Sequence, residues 1–282
     1  MNTCGFIETG FRKDMVKGMM IGFIGLGNMA KAMIGGMLSK GIATKEEIIG
    51  SAKTKATQEA VKEAYQITTY ADNCTVAAQA DVLVLAVKPQ FFGEVLPQIK
   101  DCIKPDALVI SIAAGKSMAD IEKLFGKELK LVRCMPNTPA LVGEGCSGVC
   151  RNERVNDAEM AKCMELIGSF GLAEEIPEKL MDAFAGISGC SPAFVFMFLE
   201  ALADGGVAAG MPRKQAYTFA AQAVMGSAKL MLESGKHPGE LKDMVCSPGG
   251  TTIEGVRMLE ERGMRGAVMD AVKATVDKAK QL

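Results

Sequence analysis

The chain has no tryptophan, 3 tyrosines and a single histidine, His237, among 282 residues. One imidazole rules out a multi-histidine metal site and leaves no good candidate for a Ser-His-Asp triad. Paired cysteines are missing too. There are 9 cysteines, an odd number without a C-x-x-C pair, and Cys146 and Cys150 are the nearest two. That argues against a disulfide framework and for buried thiols in a reducing cytoplasm. An excess of either charge is also lacking. The net charge of −1 gives no basic surface for nucleic acid or anionic membrane. No bilayer span is expected, because the apolar run Ala193 to Leu199 is soon interrupted by Glu200 and Asp204. Arg12, Lys13 and Lys17 before Met19 to Met29 imitate a secretory leader, but glycines occupy its would-be apolar centre and no strong cleavage pattern follows. Residues 1–18 are expected to form an extension before the first strand.

What is present begins with Met20-Ile21-Gly22-Phe23-Ile24-Gly25-Leu26-Gly27-Asn28-Met29-Ala30. Met20 to Ile24 suits a buried parallel strand, and Asn28 to Lys40 suits a helix with Gly41 past its end. Between them, Gly25-x-Gly27-x-x-Ala30 is the dinucleotide form of the glycine-rich turn. Gly25 permits the tight turn, Gly27 lets a pyrophosphate approach the backbone, and Ala30 lets helix and strand pack closely. A second strand follows at Ile48 to Ser51. Its tip reads Ser51-Ala52-Lys53-Thr54-Lys55, with no acidic residue to hold the ribose hydroxyls. A hydroxyl and two ammonium groups suit a 2′-phosphate, so NADPH is expected as coenzyme, with NADH also possible.

Strand and helix patterns alternate through the first half, as in a parallel sheet wound by crossovers. Asp81 to Val87 is the clearest central strand and stops at Lys88-Pro89, at the carboxyl edge where such folds bind ligands. Ala86, Val87, Lys88 and Pro89 are therefore candidate coenzyme neighbours, Lys88 for ribose or phosphate. Leu108 to Ile112 ends in Ala113-Ala114-Gly115, whose small side chains leave room for a flat ring. Lys130 to Met135 leads into Pro136-Asn137-Thr138-Pro139, where Asn137 either faces the coenzyme ring or caps the next segment. From Leu180 onward strand signals vanish and helices are expected, three of them opening at Pro192, Pro212 and Pro238. The fold class is thus α/β, with a Rossmann-like domain over 19–179 followed by an all-helical domain over 180–282. A hundred residues of helix rich in Ala, Gly and Met hold little core, which favours interdigitation with a second copy as much as an intramolecular bundle.

The helical half contains Ser247-Pro248-Gly249-Gly250-Thr251-Thr252-Ile253-Glu254. Thr251 and Glu254 have the spacing of a capping box, so a helix should begin there with its amides facing the glycine loop. Such a helix start holds a carboxylate or phosphate. Reduction of a ketone would call for a lysine or histidine as general acid. Gly186 to Leu199, the region where hydroxyacid dehydrogenases of similar architecture carry a lysine, has no suitable ionisable group. An imine protonated in solution needs only to be held, oriented and given one hydrogen bond. Thr252 is the candidate donor, and Ser247, Gly250, Thr251 and Thr252 are the candidate carboxylate contacts. His237, next to Pro238 at a helix start, is expected to be structural.

Taken together these motifs resemble the pyrroline-5-carboxylate reductase family from Met20 to the C-terminus. The resemblance is carried by Gly22 to Ala30, Ala86 to Pro89, Arg133-Cys134-Met135-Pro136-Asn137-Thr138-Pro139, Ala203 to Val207, His237 to Asp243, and Ser247 to Ile253. It implies NAD(P)H-dependent reduction of 1-pyrroline-5-carboxylate to proline, and an interlocked helical dimer often assembled into a decamer. It also implies that Thr252 bonds the ring nitrogen, while Ser247 and the loop amides bind the carboxylate. One departure is Ser188-Gly189-Cys190-Ser191-Pro192-Ala193-Phe194, where relatives carry a tyrosine at the last position and a glycine in place of Ser191.

Overall fold

A computed structural model describes residues 16–280, so most of the expected 1–18 extension and the end of the last predicted helix lie outside the described residues. The chain divides into two compact units, one carrying the sheet through Gly189 and also taking in residues 276–280, the other covering Cys190–Thr275.

In the first unit the elements run β1 (Ile21–Ile24), α1 (Asn28–Ser39), β2 (Ile48–Ser51), α2 (Lys55–Tyr65), β3 (Thr68–Tyr70), α3 (Asn73–Gln79), β4 (Val82–Leu85), α4 (Phe92–Ile99), β5 (Leu108–Ser111), α5 (Met118–Phe125), β6 (Lys130–Met135), β7 (Gly145–Arg151), α6 (Asp157–Gly168), β8 (Gly171–Glu175) and α7 (Met181–Phe184). The eight strands form one sheet in the order β3-β2-β1-β4-β5-β6-β7-β8. All pairs are parallel except β6 with β7. The chain order reverses between β1 and β4, where a doubly wound sheet opens its ligand crevice.

Alternation along the strands fills two cores. Ile21, Phe23, Val82, Val84 and Ile110 face α1 and α6, with Met33, Ile34 and Phe170. Ile24, Leu83, Leu85 and Val109 face α3, α4 and α5, with Phe92, Leu96 and Ile121. Both faces are covered, which is why these strands read as unbroken apolar runs. The sheet unit runs past residue 179 because the chain beyond β8 stays on the sheet. Arg133, almost wholly buried on β6, pairs with Glu178 at 3.2 Å, and the same carboxylate accepts the Met118 amide at 2.9 Å. Met181 then packs with Met135 and Cys150.

The second unit comprises α8 (Ser191–Ala208), α9 (Arg213–Ser234), α10 (Pro238–Val245), α11 (Thr251–Glu261) and, up to Thr275, α12 (Met264–Ala279). Each proline expected at a helix start lies at the N-cap or first turn of α8, α9 or α10. His237 caps α10 by accepting the Gly239 amide on Nδ1 at 3.1 Å, a structural role. Apolar exposure dominates this unit. Among its described residues only Ala203, Ala216 and Ala220 are buried apolar groups, while Phe196, Met197, Leu232 and Met269 are each more than 60% exposed. A patch of that extent is a surface seeking a partner.

Two readings of the sequence are corrected. Short helical segments join end to end from Glu178 to Ala208, and this 31-residue stretch holds an 18-residue window of mean hydropathy 1.5, so one helix is long and apolar enough to cross a bilayer by length and composition alone, which is not evidence that it does. Reading the run from Ala193 alone missed it. The same apolarity serves any helix that packs on several neighbours. The cysteines are not all unpaired either: Cys74 and Cys102, 28 residues apart, form a disulfide with a Cα separation of 5.4 Å. Sequence distance hid a contact that α3 and α4 create by packing together.

Candidate active site

The first candidate site lies at the carboxyl edge of β1, β2 and β4. Gly25 leaves β1 at φ +97°, and its amide donates to the Ser51 carbonyl at 3.0 Å, so the turn is tied to β2. A Cβ on Gly25 would sit 2.8 Å from Val87 Cγ1 and 3.0 Å from the Ala86 backbone. At Gly27 a Cβ would meet nothing within 4 Å. Gly27 is the N-cap of α1, which has no side-chain cap, so the first-turn amides of Asn28 and Met29 face the same opening. Bare backbone, free amides and the positive end of a helix are what a dinucleotide's pyrophosphate requires.

A cleft of about 390 Å³ opens beside this turn. It brings together Gly25, Gly27, Ser51, Lys53, Ala86, Val87 and Lys88 from the expected set. It adds Ala52, Ala71, Asn73, Phe91, Glu94, Val95 and Gln98, which sequence reasoning missed. Glu94 and Gln98 are one helical turn apart on α4, and Asn73 opens α3 behind the capping Asp72. A helix start beside the sheet edge was the one signal that could have found Asn73. The Ser51 hydroxyl is fully buried and lies 2.7 Å from Asn73 Oδ1, so it braces the wall. Asn73 Nδ2 donates in turn to Gln98 Oε1 at 3.3 Å.

Other expected neighbours stand outside the cleft. Leu26 is buried in the core against Gly50, so its side chain is turned away from the cleft. Pro89 starts a short helical turn on the cleft's rim. Ala113 is buried, and Ala114 and Gly115 follow β5 at the same sheet edge without lining the cleft. Asn137 has its carboxamide engaged inside the protein. Its Nδ2 donates to the Ser188 carbonyl at 3.1 Å and to Ser188 Oγ at 3.2 Å, and its Oδ1 accepts the Cys146 amide at 2.8 Å. Asn137 stands at the N-cap position of the turn that follows, yet its side chain makes no cap hydrogen bond there; it ties Ser188 to Cys146 instead, which is neither of the two expected roles. Lys55 pairs with Glu59 at 3.7 Å on α2, and of the two tip lysines only Lys53 lines the cleft.

The second candidate site belongs to the helical unit. Gly249 takes φ +65°, and the Gly250 amide closes the turn on the Ser247 carbonyl at 3.0 Å. A Cβ on Gly250 would lie 2.4 Å from Ser247 Oγ, so a side chain there would displace that hydroxyl. α11 then starts at Thr251 with Gly250 as N-cap. The expected capping box is not formed, because the helix begins one residue early, with Thr251 already in its first turn and Gly250 at the cap. Glu254 instead accepts from Arg257 Nε at 3.0 Å. Ser247, Thr251 and Thr252 are all exposed, and α11 has no side-chain cap. The turn therefore presents hydroxyls and unsatisfied amides with no acid between Ser247 and Ile253, a setting for a small carboxylate.

Comparison with known proteins matches both halves. Residues 178–282 match the family described as pyrroline-5-carboxylate reductase dimerisation, and residues 20–115 match NADP oxidoreductase, coenzyme F420-dependent. Pyrroline-5-carboxylate reductase of Escherichia coli K12 is 47% identical across 93% of this chain and 97% of its own length. The solved structure of a pyrroline-5-carboxylate reductase from Coxiella burnetii superposes with a TM-score of 0.88 at 34% identity, over 93% of this chain and 98% of that one. The Plasmodium falciparum pyrroline carboxylate reductase, solved with NADP bound, gives 0.85 at 35% identity, over 94% and 98%. With its glycine turn, its capless helix start and its sequence alike along nearly the whole length, this chain belongs to the pyrroline-5-carboxylate reductase family.

Proposed function

We propose that the protein reduces 1-pyrroline-5-carboxylate to L-proline, the last step of proline biosynthesis, with NADPH as the preferred hydride donor and NADH as a possible substitute. The observation that carries this reading is the Ser247–Thr252 turn: an anion-binding helix start that offers hydroxyls but no ionisable acid. A cyclic imine that arrives protonated fits it, and a ketone that must be protonated during reduction does not.

The coenzyme supplies hydride to the imine carbon when bound. The open backbone at Gly25 and Gly27 and the first amides of α1 accommodate its pyrophosphate, and Lys53 compensates a 2′-phosphate. Ala86, Val87 and Lys88 line the cleft beside that turn. Ser247 Oγ and the amides of Thr251 and Thr252 grip the substrate carboxylate, while the Gly250 amide, held by the Ser247 carbonyl, shapes the turn and so fixes which ring face is presented. Thr252 Oγ1 hydrogen-bonds the ring nitrogen and holds it in register.

Self-association as a dimer is part of the proposal, supported by the apolar surface of the helical unit and the dimerisation family match. A decamer, a cytoplasmic location and the absence of nucleic-acid and membrane partners complete it. Optical assay of NADPH and NADH oxidation with pyrroline-5-carboxylate, beside small ketoacids, tests the reading. Turnover of the imine is expected; turnover of ketoacids alone would replace it with a hydroxyacid dehydrogenase.

A further inference from the structure

The Cys74–Cys102 pair belongs to no part of the chemistry above, yet it sits on the outer wall of the coenzyme cleft. Cys74 follows Asn73, a cleft residue, at the start of α3. Cys102 lies just beyond α4, whose Glu94, Val95 and Gln98 line the same wall. The Gln98 carbonyl oxygen is 3.1 Å from Cys74 Sγ and 3.7 Å from Cys102 Sγ, so one residue touches both sulfurs and the cleft. On the inner side Asn73 joins Ser51 at 2.7 Å and Gln98 at 3.3 Å. The bridge thus fastens α3 to the end of α4 where their polar side chains complete the wall.

We infer that Cys74 and Cys102 form a reversible thiol–disulfide site that sets coenzyme affinity by fixing this wall. The inference rests on the coenzyme reading of the cleft. The oxidant is a small disulfide such as glutathione disulfide. One cysteine thiolate attacks it, releasing one glutathione thiol and leaving a mixed disulfide. The second cysteine thiolate then attacks the protein sulfur of that mixed disulfide, and the second glutathione thiol leaves. Two cysteine thiols lose two electrons and two protons, and the small disulfide is reduced to two thiols.

Selectivity follows from access. Cys74 and Cys102 are both partly exposed. Burial pushes the Cys134 thiol up to about 12 and Cys150 up to about 11, and raises Cys163 as well, so these stay protonated and out of reach. Cys146, Cys190 and Cys246 are partly exposed but have no bonded partner among the described residues. With the bridge closed, Asn73 and Gln98 are held before the coenzyme arrives; with it open, binding must order them. Ordering one or two such side chains corresponds to roughly three- to tenfold in affinity.

The test uses the full-length protein, reduced with a phosphine or oxidised with glutathione disulfide, and titrated with NADPH by fluorescence. Peptide mass mapping should find Cys74 joined to Cys102 in the oxidised sample only. The oxidised form should bind NADPH about three- to tenfold more tightly. The Cys74→Ser/Cys102→Ser variant should show one dissociation constant under both treatments. Failure to map the bridge, equal affinities in the two wild-type forms, or a redox response that survives in the double variant would each overturn the inference. Equal but real binding would leave the coenzyme site standing, whereas no NADPH binding in either form would remove the site and this inference with it.

Discussion

Gly25 and Gly27 are two residues apart, and the structure gives their alanine variants opposite phenotypes. Gly25→Ala puts a side chain at φ +97° and drives its Cβ to 2.8 Å from Val87 Cγ1. The left-handed backbone costs about 1–2 kcal/mol and the overpacking about 1–3 kcal/mol, so about 2–5 kcal/mol of stability should be lost. For a chain of this size that lowers Tm by roughly 4–20 °C. Gly27→Ala meets no protein atom within 4 Å and keeps an ordinary extended backbone, φ −74° and ψ −173°. Its stability change should stay near 1 kcal/mol, the order of an N-cap effect. Its methyl instead occupies the space through which a pyrophosphate reaches the α1 amides, and NADPH affinity should fall about tenfold or more, as expected when a charged group loses its hydrogen bonds. Calorimetry and NADPH titration on both variants separate the effects. A Gly27→Ala protein that binds NADPH like wild type would refute the cradle, and a Gly25→Ala protein with unchanged Tm would refute the steric argument.

Thr252→Ala should lower turnover by roughly ten- to a hundredfold at unchanged Tm, the loss of one well-placed hydrogen bond, and unaltered kinetics would remove Thr252 from the mechanism. Lys53→Glu should raise the KM for NADPH more than that for NADH, while Lys55→Glu, whose parent lysine pairs with Glu59, should affect both little; equal penalties from Lys53→Glu would show that it does not meet a phosphate. At low pH, burial pushes the Asp81 carboxyl up, but bonds from Lys104 Nζ and the Met20 amide, each 2.8 Å, outweigh it and hold its pKa below the usual carboxylate value. A depressed folded pKa contributes stability that is present above the unfolded value, near 4, and is lost as pH falls through the folded one. The acid limb of the stability curve should therefore be shallower in Asp81→Asn, and an unchanged slope by chemical denaturation would exclude Asp81 as a contributor.

By itself the sequence determined the order of strands and helices in the sheet unit, because continuous apolar runs and glycine punctuation are local signals that burial on both faces enforces. The same locality made Gly25, Gly27 and the carboxyl edge of β4 legible as a candidate coenzyme site, and Ser247 to Thr252 legible as a helix start. What spans sequence distance was decided only by packing. Asn73, Glu94 and Gln98 became one wall because α3 and α4 lie together over one face of the sheet, and the same contact joined Cys74 to Cys102. Asn137 turned inward because β7 and the segment at Ser188 offered its amide three partners. The cap of α11 fell on Gly250 rather than Thr251 because the turn closed by the Gly250 amide on the Ser247 carbonyl leads straight into the helix at Thr251. A local pattern names the groups a chain can offer. Which neighbours absorb them, and which remain free for a ligand, depends on the three-dimensional competition for each hydrogen bond and each cubic ångström.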